Sequence, residues 1–271
     1  MGISVLICAR DEEARIGDCL RRVAGQFDQI VLVADRCRDA TVEIARRYGA
    51  TVVEGIFPLE GDRKQIGLSH CTNEWVFELD ADEHVNEALV AEIGLKTKAA
   101  EAEWFKIPID NYVGGRLVKW GWGGSFGTTL AARLYRRRAK AWKGDRVHPG
   151  VILHGACGGA LVSPIQHYVD DNIADMLDRL NRYTALRGAD LADRGDPGEL
   201  WDNVCRGVRR FCKCYFRRKG RNEGDMGFLI ALMAGLYPVL AYLKAKEILE
   251  LRVASCIAPR DLLSSSVERV S

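Results

Sequence analysis

The first ninety residues alternate short apolar runs with amphipathic stretches at helical spacing. Ile3–Cys8 reads as a buried strand, and Asp11–Val23 as a helix with Ile16, Leu20 and Val23 on one face. Gln29–Ala34, Thr51–Glu54 and Trp75–Leu79 read as further strands. Between them Ala40–Tyr48, ended by Gly49, and Arg63–Cys71 read as helices. That βαβαβαβ rhythm predicts an α/β fold with a mostly parallel, doubly wound sheet and right-handed crossovers. From about residue 104 to 168 the pattern shifts to shorter β-like runs, Trp104–Ile109, Leu130–Tyr135 and Ala160–Ile165, separated by glycine-rich loops such as 121–127. After Asp170 the periodicity is helical, over Ile173–Leu191, roughly Trp201–Arg218, and Met226–Leu251. The expected organisation is a sheet domain over residues 1–170, a helical region over 171–258 and a frayed tail over 259–271.

Composition narrows the class. The chain has 271 residues, 48% hydrophobic and 28% charged, with a formal net charge of +2. That is enough for one sizeable α/β core with an appendage, and a near-neutral balance gives no case for nucleic acid as a partner. Nine cysteines are scattered without a Cys-x-x-Cys pair, several of them within apolar patterns. Reduced, mostly buried thiols in a cytoplasmic protein are the expectation. It is reinforced by a first strand that begins almost at Met1, leaving no room for a signal peptide.

The chemistry concentrates where the fourth strand stops. Trp75-Val-Phe-Glu-Leu79 runs directly into Asp80-Ala-Asp82. Carboxyl ends of strands in open α/β sheets are where ligands bind, and two carboxylates there suit a divalent cation that also meets substrate phosphates. The motif points to a metal-dependent enzyme acting on a nucleotide diphosphate, with Mg²⁺ or Mn²⁺ as the cofactor. The same spacing also suits aspartates that cap a turn or a helix.

Several motifs fall in a recognisable order. Ile3-Ser-Val-Leu-Ile-Cys-Ala-Arg-Asp-Glu-Glu13 resembles the opening strand and turn of inverting family-two glycosyltransferases, with Asp11 in place of their usual Asn. Val33-Ala-Asp35 followed by Asp39-Ala-Thr41 resembles their second motif, and Asp62-Arg63-Lys64-Gln65 the helix that brings a basic residue before the metal strand. Within that family the chain is most similar to the bacterial lipopolysaccharide core β-glucosyltransferase group. The residues concerned are Leu79-Asp-Ala-Asp-Glu83, Arg133-Leu-Tyr-Arg-Arg137, Val147-His148, Ile165-Gln-His167-Tyr168 and Asp178-Arg-Leu-Asn-Arg-Tyr183, with the tail ending at Gly227. The resemblance spans nearly the whole chain.

It implies a GT-A fold, meaning a nucleotide-diphospho-sugar transferase fold, with a UDP-sugar donor. Ala9, Arg10, Glu12 and Asp35 would then hold the uracil and ribose, since a carboxylate there accepts from a base N–H or a sugar hydroxyl. Glu12 equally suits the first turn of a helix. Of the basic pair Arg63 and Lys64, Lys64 is expected on the ligand side. Asp80 would meet the ribose or a metal-bound water, Asp82 would ligate the metal, and His167 sits where relatives place a late metal ligand. The metal would offset charge developing on the departing diphosphate. Relatives read Val-His-Glu where this chain has Val147-His148-Pro149, which removes the obvious general base. His148, with Asp145 in the same loop, is the expected base. His154 reads as an ordinary loop residue. Trp120, Trp122, Arg133 and Arg136 are expected to meet the acceptor, through stacking and through Arg–phosphate pairing.

The C-terminal region carries a separate signal. Residues 206–221 hold eight Lys and Arg interleaved with Phe211, Tyr215 and Phe216, and residues 226–243 follow without a formal charge. Eighteen residues lie at the short end of a membrane span, and Gly227, Gly235 and Pro238 weaken it further. The two readings are an interfacial helix on an anionic inner-membrane surface, or a helix packed on the sheet domain or on a second copy in a homo-oligomer.

The expected activity is metal-dependent, inverting transfer of a hexose from a UDP-sugar to a cell-envelope glycan or glycolipid, in the cytoplasm or at the inner face of the plasma membrane. Two alternatives stay open. A nucleotidyltransferase of related topology would want a Gly-rich phosphate loop where this chain has Ala9-Arg-Asp-Glu-Glu13. A non-catalytic, transferase-like binding protein is the other, suggested by Pro149.

Overall fold

The structure, a computed structural model, describes residues 2–99, 101–123, 127–142 and 150–257. The first strand, β1 (Ile3–Ala9), is flanked in parallel by β2 (Gln29–Asp35) and β4 (Trp75–Asp80), with β3 (Thr51–Gly55) beyond β2. A strand paired on both sides and covered on both faces has no polar side, which is why β1 and β2 are almost continuously apolar. Helix α1 (Glu13–Val23) buries Ile16, Cys19, Leu20 and Val23 on the sheet, and α2 (Thr41–Arg47) and α3 (Glu60–His70) complete the crossovers. The predicted elements are all present in this half.

The sheet then becomes mixed. Beyond β4 come β8 (Leu130–Arg136), antiparallel to both neighbours, then β6 (Trp104–Val113), β12 (Ile165–Asp170) and the two-residue β5 (Glu83–His84). Two short strands, β7 (Arg116–Val118) and β11 (Cys157–Ala160), pair with β6, while β9 (Lys140–Trp142) and β10 (Val151–Leu153) form a separate ribbon. The expected strand over Ala160–Ile165 is corrected. Its residues straddle β11 and β12, with Pro164 between them unable to donate to a ladder and Val162 turned out to solvent.

Helix α4 (Glu87–Ala99) has no counterpart among the predicted elements. Asn86 caps it by accepting from Leu89 N–H at 2.8 Å, and Leu89, Ile93 and Thr97 face the core. Its outer face carries Ala91 and an exposed Leu95, so the polar–apolar contrast that marks an amphipathic helix is weak.

The C-terminal helices are α5 (Ile173–Asp193), α6 (Leu200–Cys212) and α7 (Asp225–Ile257), with a π-helical turn at Lys213–Arg217 and a 3₁₀ turn at Gly220–Glu223 between the last two. They are fused to the sheet rather than appended. Val113, Val118, Trp122 and Val169 share one apolar cluster with Met176 and Leu180 of α5 and Ile230, Met233 and Tyr237 of α7. Where α6 crosses α7 the backbones nearly touch, and a Cβ placed on Gly207 would lie 2.4 Å from the Gly235 carbonyl oxygen. Gly207→Val is therefore expected to push the helices apart and destabilise by roughly 1–3 kcal/mol. A thermal-melt change below about 1 °C would show that the crossing tolerates the bulk.

Candidate active site

The Asp80–Asp82 turn is held from three directions. The Glu83 side chain folds back to accept from Asp80 N–H at 2.8 Å, closing the turn. Arg133, on the neighbouring β8, donates to Asp80 Oδ2 at 2.5 Å and to Glu83 Oε1 at 2.9 Å, and lies 3.5 Å from Glu78 Oε1. On the third side, β5 pairs with β12 so that His167 stands opposite Glu83, and Tyr168 N–H bonds to Asp82 carbonyl. That register brings a histidine eighty-five positions along the chain beside the second aspartate, with His167 Nε2 3.3 Å from Asp82 Oδ2.

The imidazole is oriented from behind. Asn111, opposite His167 on β6, donates its amide Nδ2–H to Thr128 carbonyl at 2.9 Å, which turns its Oδ1 toward His167 Nδ1 at 2.9 Å. Nδ1 must therefore carry the hydrogen, and Nε2 presents a lone pair to a carboxylate oxygen. Two acceptors facing each other at this distance need a cation or a proton between them. Burial works against charge on His167, but Asp82, Glu83 and Asp80 outweigh it and raise its pKa. A carboxylate facing a neutral imidazole offers two ligands that fit a divalent cation such as Mn²⁺, while the Asp80 carboxylate next to them is bound to Arg133.

Beneath this turn lies a buried charge network. Glu78 accepts from Lys64 at 2.8 Å, from Lys140 and, at 3.3 Å, from the Tyr135 hydroxyl. Burial alone would raise the Glu78 and Asp80 pKa values. The surrounding cations reverse that and hold both well below the usual carboxylate range, Lys140 leading for Glu78 and Arg133 for Asp80. Glu83 goes the other way, up to about 7, because burial and the Asp80 and Asp82 charges exceed the pull of Arg133.

The second cluster forms at the ends of β1 and β2. Asp35 is buried and accepts from Phe57 N–H at 3.0 Å and twice from Arg36, whose backbone sits in the left-handed region at φ 56°. Burial raises its pKa, but these bonds dominate and keep it ionised. Ala9 ends β1 with its carbonyl facing the Cys37 thiol at 3.7 Å, and Arg10 is exposed. Asp11 is also left-handed, at φ 53°, and accepts from Arg38 N–H at 2.7 Å. An aspartate can replace asparagine there because both tolerate that conformation. Glu12 starts α1 without capping it, so the first-turn role is not the whole account. Burial and the nearby Asp82 raise its pKa to about 7.

Four expected assignments are corrected. Lys64 is spent on Glu78 and on Glu60, 3.3 Å away. Arg63, with a buried Nε lacking any partner, is the basic residue whose charge is felt by Asp35. Arg133 is buried beneath the aspartates and is a brace, not an acceptor contact. Arg136 lies at the opposite end of β8, paired with Glu74 and Glu103 and stacked 4.9 Å over Trp75. Trp122 is buried, its indole N–H bonded to Val118 carbonyl at 2.6 Å, whereas Trp120 is 41% exposed. His148 and Asp145 lie outside the described residues. His154 is an exposed loop residue, as expected.

The parallel half-sheet, the acidic strand end and the basic helix before it define a nucleotide-sugar transferase architecture. The glycosyl transferase family 2 model matches residues 4–143, and the chain belongs to that family and is a glycosyltransferase. It is 25% identical to the lipopolysaccharide core biosynthesis glycosyltransferase LpsC of Rhizobium meliloti (strain 1021), over 89% of this chain and 91% of that one. It is 36% identical to an uncharacterized glycosyltransferase of Rickettsia prowazekii (strain Madrid E), over 91% and 87% of the two chains. Among solved structures, S. aureus TarS 1–349, crystallised with UDP-GlcNAc, aligns over 94% of this chain and 92% of its own at 13% identity and a TM-score of 0.50. The expected GT-A fold is thereby established.

Proposed function

We propose that this glycosyltransferase moves a hexose from a UDP-sugar, with inversion, onto a cell-envelope glycan such as the lipopolysaccharide core. The observation that carries the donor side is the Asp82–His167–Asn111 alignment at the strand end, where Mn²⁺ or Mg²⁺ would be held by Asp82 and His167 with Asp80 alongside. A cation so placed supplies Lewis-acid stabilisation of a leaving diphosphate. Asp35 and Arg63 are suited to the uracil and ribose, one accepting and one donating, with Glu12 and the Ala9–Arg10 turn at the rim. Asp80, fixed by Arg133, is oriented toward the sugar or a metal-bound water. The acceptor class rests on similarity to the R. meliloti core transferase. Hydrolysis of a panel of nucleotide sugars, with and without Mn²⁺, tests the reading. Turnover of UDP-sugars only, dependent on metal, is the expected result. Release of pyrophosphate from a nucleoside triphosphate and a sugar phosphate would instead make it a nucleotidyltransferase.

For the displacement itself, a base must take the acceptor proton as the anomeric carbon is attacked. If His148 serves, His148→Ala lowers kcat by roughly 10²–10⁴-fold with little change in donor affinity. The same pattern in Asp145→Ala, with His148→Ala active, moves the role to Asp145.

The helical region supports attachment to an anionic membrane. Arg206, Arg209, Lys213, Arg217, Lys219 and Arg221 are exposed, beside exposed Val208, Phe216, Phe228, Leu232 and Leu236. Helix α7 is long and apolar enough to cross a bilayer, but half of its apolar window is buried against the rest of the molecule. That burial favours surface binding over a span. Cations near such a surface contribute about 1 kcal/mol each and are screened by salt. Liposome co-sedimentation is expected to be salt-sensitive and lost when residues 206–221 are charge-reversed. Equal, salt-independent recovery of both proteins in the supernatant would assign the exposed face to another role, such as a contact between two copies.

A further inference from the structure

A cavity of about 470 Å³ opens between the segment after β7 and the turns that join α6 to α7. Lys119, Trp120, Thr128, Arg217, Arg218 and Lys219 are among its lining residues, and among the described residues no carboxylate lines it. We infer that it is the acceptor subsite and that it takes a sugar bearing a phosphate or carboxylate group. The use of the pocket rests on the transferase reading. Its ligand chemistry does not.

The pocket is a built structure. Glu223, buried, accepts from Lys119 N–H at 2.8 Å, from Trp120 N–H at 3.1 Å and from Arg116 at 3.1 Å, clamping one wall to the other. Arg218 reaches through the space left by Gly123, where a Cβ would fall 0.9 Å from its Nη1, and donates to Trp122 carbonyl at 2.7 Å. Gly121 N–H in turn bonds to Arg218 carbonyl at 3.0 Å. The next residue, Lys219, is held left-handed at φ 60°, a conformation a lysine adopts only at a cost. The result carries its ammonium to 5.0 Å from the Trp120 ring. An exposed indole face beside a convergent set of cations offers a sugar ring a stacking surface and its anionic substituent charge-assisted hydrogen bonds.

Position supports the same use. Thr128, in the pocket wall, accepts from Asn111, which orients His167, which faces Asp82. Two hydrogen bonds and one His167–Asp82 contact separate the cavity from the Asp80–Asp82 turn.

The test is fluorescence titration of the full chain with glucose 6-phosphate, glucuronate, inorganic phosphate and glucose, with Trp120→Phe identifying the responding indole. Saturable quenching by glucose 6-phosphate or glucuronate is expected, weaker with phosphate alone and absent with glucose. Lys219→Gly and Arg217→Gln should each weaken binding of the responding sugar about tenfold. Lys219→Gly should also keep or raise the melting temperature, because glycine is unstrained at that φ. Unchanged affinity in both variants, or no saturable response to either anionic sugar, would overturn the assignment. A response only to phosphatidylglycerol vesicles would overturn it too, making the cavity part of a lipid-facing surface. Absence of metal-dependent donor hydrolysis by the wild type would count against the UDP-sugar reading while leaving anion binding as observed.

Discussion

Asp82→Asn is expected to abolish turnover and metal-dependent UDP binding while leaving the fold intact. The side chain is only partly buried; it faces His167, lies 4.0 Å from Arg15, and its backbone carbonyl accepts from Tyr168 N–H. Asparagine keeps that bond and the side-chain shape. It loses the charge that a divalent cation requires, and it can present its NH₂ to His167 Nε2, satisfying the lone pair that otherwise faces a carboxylate at 3.3 Å. The loss in kcat should exceed roughly 10³-fold, since charge stabilisation of the leaving group is worth several kcal/mol. Asp80→Asn should also be severe, but for a mixed reason, because it loosens the Arg133 brace as well as the site. Wild-type turnover by Asp82→Asn under limiting Mn²⁺ would remove Asp82 from metal binding.

The parts of this molecule that were legible in the sequence are those governed by local rules. The parallel half announces itself through apolar runs and helical spacing, and Asp80 and Asp82 through their place at the end of one such run. His167 was reached only by resemblance. What brings it to Asp82 is the pairing of β12 with a two-residue strand, and no periodicity reports a partner that short. The four arginine, lysine and tryptophan corrections share one cause. A basic or aromatic residue near a motif was read as facing ligand, whereas Arg133 and Lys64 are needed inside to offset buried Glu78, Asp80 and Glu83. A signal was available in Glu78 itself, an acid at the centre of a strand buried on both faces, which must bring cations with it. Arg63 and Lys64 could be told apart only by which of them that acid claimed.

Glu78→Gln is the substitution with the largest expected cost to stability. One carboxylate, 4% exposed, is shared by the ammonium groups of Lys64 and Lys140 and approached by the Arg133 guanidinium. Removing its charge leaves cations packed together with less to compensate them, a loss of roughly 3–5 kcal/mol and about 10 °C in Tm. Lys140 is the first to yield. Burial lowers its pKa even with Glu78 in place, and the Lys64 and Arg133 charges add to that. A Glu78→Gln/Lys140→Met double variant should therefore recover part of the stability lost by the single one, the signature of charges that act as a pair. The acid limb gives an independent check. Because the folded Glu78 titrates below its ordinary value, its contribution is complete above a pH of about 4.3 and declines as pH falls through the range below. Stability of the wild type should fall over that range, and more shallowly in Glu78→Gln. A single variant that melts within about 2 °C of wild type, with an unchanged acid limb, would mean that water or rearranged partners neutralise this cluster and that Glu78 does not hold it together.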